Sequence, residues 1–270
     1  VAAFFAGNAY LPGFWRGNIY KGPLKQFCVP GLNCYSCPGA LTSCPLGALQ
    51  AVLGSIKYRF SYYIAGMLLV FGLVLGRFIC GFLCPFGFLQ DLLHKLPGPK
   101  IKRPWNKPRY LKYLVLTVFV IGLPLFMVNS LGMGDPAFCK YICPAGTIEA
   151  GWPLILLNPP LRPALGALFA WKTALALVIV MGCIIIYRFF CRYLCPLGAI
   201  YGLFNRISLY QLHCNKEKCL QCGACSKACH LGVDPAHSKT LCECIRCGDC
   251  AAACPHGALK LGFKKNRCSQ

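Results

Sequence analysis

The sequence predicts a mainly α protein, with multi-pass transmembrane helices, re-entrant Cys-Pro half-helices, and a small α+β domain at the C-terminal end. Three observations carry this reading. Of the 270 residues, 57% are hydrophobic and 13% charged, about half the charged fraction of an average soluble domain. The apolar runs Phe60 to Gly76, Tyr113 to Gly134 and Trp171 to Tyr187 each approach the roughly 20 residues a spanning helix needs. The 22 cysteines fall into repeated CxxC and CxxxCP groups, which favours metal or cluster ligation over a disulfide scaffold.

Taken in order, residues 1–59 read as the end of a first membrane helix and an outer, Cys-rich re-entrant segment. Val1 opens directly into VAAFFAGNAYL, with no basic stretch ahead of it, so a helix whose start is missing fits better than a signal peptide. Residues 60–210 read as a transmembrane domain, 211–263 as the small domain, and 264–270 as a basic tail. Loop charge sets the orientation. Lys95, Lys100, Lys102, Arg103, Lys107, Arg109 and Lys112 stand against Asp91 alone, which places that loop in the cytoplasm. Asp135 to Lys172 is nearly neutral and belongs outside, and from Arg188 onward twelve basic residues return the chain inside. The stretch from Tyr10 to Arg59 runs against this pattern, with five basic residues and no acidic one on the outer side. The formal charge of +21 is thus read as positive-inside topology, offset in part by cysteine thiolates. Nucleic acid is not an expected partner.

Cys44, Cys84, Cys143 and Cys195 open CPLGALQ, CPFGFLQ, CPAGTIE and CPLGAIY, an internal repeat of CPxG followed by apolar residues. In Cys80-GFL-Cys84, Cys139-KYI-Cys143 and Cys191-RYL-Cys195 the paired cysteines are four residues apart, on one face of a helix end. Proline suits the first position of a new helix, so each Cys-Pro step aims free N–H groups and a positive helix end at the sulfur. Structural thiols, outer disulfides and metal-free dithiols compete with clusters here. For Cys183, alone in its helix, the structural reading wins.

In the small domain, Cys219-x2-Cys222-x2-Cys225-x3-Cys229 is followed by Cys244-x2-Cys247-x2-Cys250-x3-Cys254-Pro255. This is the spacing of an α+β two-cluster bacterial ferredoxin, in which the fourth cysteine of each run ligates the other cluster. One 4Fe-4S cluster then takes Cys219, Cys222, Cys225 and Cys254, and the second Cys244, Cys247, Cys250 and Cys229. Zinc ribbons would leave the third cysteine of each run idle. CSKACH is one residue too long for covalent haem, and His230 reads as a surface residue. No GxGxxG after a strand and no P-loop is present, so NADH is not expected as direct donor.

The chain resembles the membrane polyferredoxins of the NapH, NosR and CcoG type. FCVPGLNCYSCPGA, GRFICGFLCPFGFLQD, GDPAFCKYICPAGTIEAG, RFFCRYLCPLGAIYGLFN and the ferredoxin tail carry the resemblance. It implies a multi-pass protein of the cell (inner) membrane that passes electrons between cytoplasmic or quinone donors and acceptors across the membrane, often an extracytoplasmic FMN-binding flavoprotein, within a hetero-oligomeric complex. Cys-Pro motifs on the outer side as well depart from the NapH pattern. The leading expectation is an electron-transfer subunit of an oxidoreductase system, with a cytoplasmic ferredoxin-like donor. Lys216, Lys218, Lys227, Lys239 and Arg246 would steer that donor. The alternatives are a menaquinol dehydrogenase and a metal-reducing assembly factor.

Placed on this topology, Cys80, Cys84, Cys191 and Cys195 make the complement of an inner membrane-face cluster. Cys37, Cys44, Cys139 and Cys143 make an outer one, with Cys34 as the spare or a substitute. Four 4Fe-4S clusters are expected in all. Cys28, Cys183, Cys214, Cys242 and Cys268 have no assigned role.

Overall fold

The computed structural model describes residues 2–55, 62–101, 105, 107–128, 133–235 and 242–263. Arg59, Phe60, Lys102, Arg103, Lys239, Cys268 and the basic tail 264–270 lie outside the described residues.

Two helices, Lys107–Phe126 and Ala167–Ile185, are long and apolar enough to cross a membrane. The first begins ahead of the predicted run at Tyr113 and passes through a wide π-helical stretch at Leu116–Gly122. The third apolar run forms the helix Tyr62–Leu75, which has 14 residues. Ala167–Ile185 leaves Leu168, Trp171, Leu177, Val178 and Met181 exposed. A stripe of that size on a protein in water would drive association, whereas lipid accepts it. The chain is membrane-associated.

The four Cys-Pro steps at Cys44, Cys84, Cys143 and Cys195 all start helices. Cys44, Cys84 and Cys195 are extended cap residues, and proline fills the first turn of Pro45–Gly54, Pro85–Lys95 and Pro196–Phe204. Cys143 is extended in the same way ahead of Pro144. At 1.5 Å per residue, helices this short reach about 15 Å, half of the hydrocarbon layer of roughly 30 Å. Pro45–Gly54 and Pro196–Phe204 both pack against Tyr62–Leu75 and Leu116–Gly122, while Pro85–Lys95 and Gly146–Gly151 pack against Ala167–Ile185. The caps Cys44, Cys84, Cys143 and Cys195 share one buried core with Cys80, Leu32 and Tyr201.

The C-terminal domain closes on an antiparallel pair, Tyr210–Cys214 with Leu259–Phe263, in the register Leu212 to Leu261. Its two short helices, Ala224–Ala228 and Asp249–Ala252, follow the two cysteine loops and pack on each other.

Candidate metal centres

In the C-terminal domain, each CxxCxxC loop has left-handed residues at matching places. These are Gln221 and Gly223 in the first, Arg246 and Gly248 in the second. Two non-glycine residues in this region are a strained arrangement, and its repetition marks both loops as built for one purpose. The loops bring the expected sulfurs together. Cys219, Cys222, Cys225 and Cys254 line one cavity, and Cys229, Cys244, Cys247 and Cys250 line a second. The fourth cysteine of each run has crossed to the other loop's cavity, as the spacing requires. Among the described residues no three His, Cys, Asp or Glu side chains converge closely enough for a single ion.

A third quartet lies beneath this domain. Cys84 is in electrostatic reach of Cys80 and Cys191, and Cys195 of the same two. The Leu32 backbone N–H donates to Cys84 Sγ at 3.3 Å, and Gly198 N–H to Cys195 Sγ at 3.4 Å. In these two copies the glycine of CPxG meets a close approach: a Cβ on Gly87 would stand 2.8 Å from the Cys80 carbonyl oxygen, and one on Gly198 3.2 Å from that of Cys191, whereas Gly47 and Gly146 have room for one.

Buried charge fits an anionic group here. Arg77, Arg109, Lys112, Arg188, Arg192 and Arg246 are all at most 7% exposed, and among the described residues Glu243 is the one buried acid. Glu243 pairs with Arg77 and with Lys112, each at 2.5 Å. Desolvation alone would raise its carboxyl, but the two cations outweigh that and hold it at about 2. Arg188 pairs with Asp91 and donates to the Cys80 carbonyl at 2.5 Å. One buried carboxylate and the half-buried Asp91 do not balance six buried cations. Thiolates loaded with clusters would supply the missing negative charge.

The same contacts fasten the C-terminal domain to this quartet. Arg77 donates to the Cys242 carbonyl at 3.3 Å, Asn205 to that of Cys244 at 3.0 Å, and Arg192 to that of Leu231 at 2.8 Å. Arg246 is 3% exposed and donates to Leu75 O, Asn205 O and Ser208 Oγ. It was expected on a steering surface and is instead a docking residue, because its left-handed loop turns the side chain back toward the helices. Lys216, Lys218 and Lys227 are exposed as expected. His230 is exposed and rests against the Tyr187 ring at 5.3 Å.

On the other side of Tyr201 lies a fourth group. Cys143 is in electrostatic reach of Cys139, Cys34 and Cys44, and Cys34 of Cys44 and Cys139. A Cβ on Gly146 would stand 3.8 Å from Cys34 Sγ, so Cys34 lies on the Cys143 turn. Cys37 neighbours Lys25 and Glu149, which also lie near Cys34. Cys34, expected as the spare or a substitute, thus neighbours Cys44, Cys139 and Cys143. Cys80 stands four residues before Cys84, whereas the matching place before Cys44 is Ala40. Tyr201, fully buried, faces Cys80, Cys84 and Cys195 as well as Cys44 and donates to the Pro30 carbonyl at 2.9 Å. Cys183, which had no assigned role, donates to Gln90 Oε1 at 3.6 Å beside the inner quartet.

Comparison with known proteins bears on what such a cysteine scaffold serves. Residues 60–104, 114–152 and 168–212 match a family described as a 4Fe-4S binding domain, and residues 243–260 match a second family of the same description. The methylamine utilization ferredoxin-type protein MauN of Paracoccus denitrificans is 28% identical over 234 residues, 85% of this chain and 71% of MauN. The putative electron transport protein YccM of Escherichia coli is 28% identical over 63% of this chain and 47% of its own length. Two uncharacterized proteins of Methanocaldococcus jannaschii are 30% and 31% identical, and the chain spans 56% and 64% of their lengths. No solved structure matches the chain significantly. The class is that of 4Fe-4S electron-transfer proteins. Within it, the chain belongs to the polyferredoxin family of the NapH and NosR type.

Proposed function

We propose that the chain is a transmembrane electron conduit, joining a cytoplasmic iron-sulfur donor to an extracytoplasmic acceptor such as an FMN-binding protein, in either direction. Each 4Fe-4S cluster, when bound, supplies a one-electron centre. The order of the quartets supports the reading. Cys222 and Cys247 are both exposed, but none of Cys219, Cys222, Cys225 and Cys254 packs into the membrane core, so that set meets the soluble donor. Cys229 and Cys244 pack into the core that holds Cys80, Cys84 and Cys195, which makes their set the next stop. Cys80, Cys84, Cys191 and Cys195 form the inner centre. Cys34, Cys44, Cys139 and Cys143 form the outer one, with Tyr201 between the two.

The observation that carries the proposal is the lock between Glu243, Arg77 and Lys112. It fixes the ferredoxin loop against the inner cysteines and excludes water from the gap. In this reading the ferredoxin domain and the basic loop before Lys112 are cytoplasmic, the four Cys-Pro half-helices are re-entrant, and the protein works in a hetero-oligomeric complex. Proteoliposomes holding an impermeant oxidant test it. Reduced ferredoxin added outside should reduce the trapped oxidant only when the full chain is present, and Cys191→Ser should abolish this. Clusters that are reduced from outside while the trapped oxidant stays oxidised would overturn the proposal.

A further inference from the structure

The residue six places after each of the four repeat cysteines, Cys44, Cys84, Cys143 and Cys195, crosses to another segment. Gln50 follows Cys44, Gln90 follows Cys84, Glu149 follows Cys143 and Tyr201 follows Cys195. Glu149 accepts the Cys34 N–H at 3.0 Å, and Tyr201 reaches Pro30. The two glutamines make one construction twice. Gln90 Nε2 donates to Cys191 Sγ at 2.9 Å and to its own helix at Phe86 O, while Gln90 Oε1 accepts the N–H groups of Phe190 and Cys191. Gln50 Nε2 donates to Cys139 Sγ at 3.2 Å and to Leu46 O, while its Oε1 accepts the Phe138 N–H at 2.9 Å. Even the neighbouring cation recurs, with Arg77 on the Cys191 carbonyl and Lys172 on that of Cys139.

Both glutamines are fully buried, so each polar atom must find a partner inside the protein. The backbone N–H can only donate, which fixes Oε1 toward it and leaves Nε2 for the sulfur. The same hydrogen bonds hold Cys139 and Cys191 in place through their own and adjacent backbone.

We propose that Gln50 and Gln90 are equivalent positioning residues, each setting the reduction potential of one membrane centre through an N–H donated to a ligand sulfur, Gln50 for the outer and Gln90 for the inner. The inference rests on the four-centre reading above. Donation to a thiolate favours the reduced, more negative state of a cluster and so raises its potential.

The test is a redox titration of the full chain, purified anaerobically and followed by electron paramagnetic resonance, with the two signals assigned through Cys191→Ser and Cys139→Ser. Gln90→Met, which keeps the shape without the donor, should lower the inner potential alone. Gln50→Met should lower the outer potential alone. The expected size is on the order of a tenfold change in the oxidised-to-reduced ratio at fixed potential, about 59 mV for a one-electron centre. If either Met variant loses its iron, the Glu variant at the same position keeps both the length and the acceptor and should shift the same way. Full iron content with both potentials unmoved overturns the proposal, as does one substitution that moves both centres equally. A wild-type chain holding iron only for the ferredoxin pair would overturn the four-centre reading instead, which separates the two failures.

Discussion

Glu243 is a single carboxylate holding two cations that are almost wholly out of water, Arg77 and Lys112. Removing it leaves both charges buried and unpaired, so Glu243→Gln should destabilise the purified chain by about 3 kcal/mol, read as a lower denaturant midpoint. Adding Lys112→Met should recover part of that loss, and an unchanged midpoint in the single variant would contradict the lock. Nothing in the residue spacing hints at this pairing. Charge counting assigned Lys112 and Arg109 to a cytoplasmic positive-inside loop, and both are buried at the junction with the ferredoxin domain. Arg77, Arg188 and Arg192 likewise lie inside, beside cysteines whose spacing was plain. Spacing along the chain is visible in a sequence, but the partner of a buried charge is set by contacts far apart along it, 166 residues for Arg77 with Glu243 and 131 for Lys112.

The Cys-Pro half-helices were legible as elements because the repeat carries its own local physics, with proline at the first turn and glycine at the close approach. Gly87→Ala should therefore cost the inner centre its occupancy, since the added Cβ would press on the Cys80 carbonyl oxygen from 2.8 Å. Gly66→Ala is the matched control: nothing stands within 4 Å of its Cβ, and alanine is the better helix former. Iron analysis of both variants decides the matter, and equal iron would contradict the stated role of the CPxG glycine. The choice between Cys34 and Cys37 was not legible, because the loop that carries both has no CxxxC pattern. Cys34→Ser should lose about four iron atoms per chain, one cluster's complement, and Cys37→Ser should lose none. The reverse outcome would restore the pairing expected from the motif.

At the scale of the whole molecule, the sequence showed apolar runs, loop asymmetry and a ferredoxin tail, and these account for the order of the parts. It did not show that Cys44, Cys84, Cys143 and Cys195 share one core, because that depends on four short helices starting at a common centre rather than on any single segment. The exposed cap of lysines at Lys216, Lys218 and Lys227 belongs to this scale as well. Reduction by an acidic ferredoxin should slow as salt rises, and a rate independent of ionic strength would remove the steering role. The orientation rests on loop charge, and a reporter fused after Gln270 should be active on the cytoplasmic side; activity only outside would invert the conduit. The most direct test of four centres in one chain is the iron and acid-labile sulfide content of the full protein purified without oxygen. Four 4Fe-4S clusters require about sixteen of each per chain, whereas about eight of each would leave the ferredoxin pair alone and contradict the account.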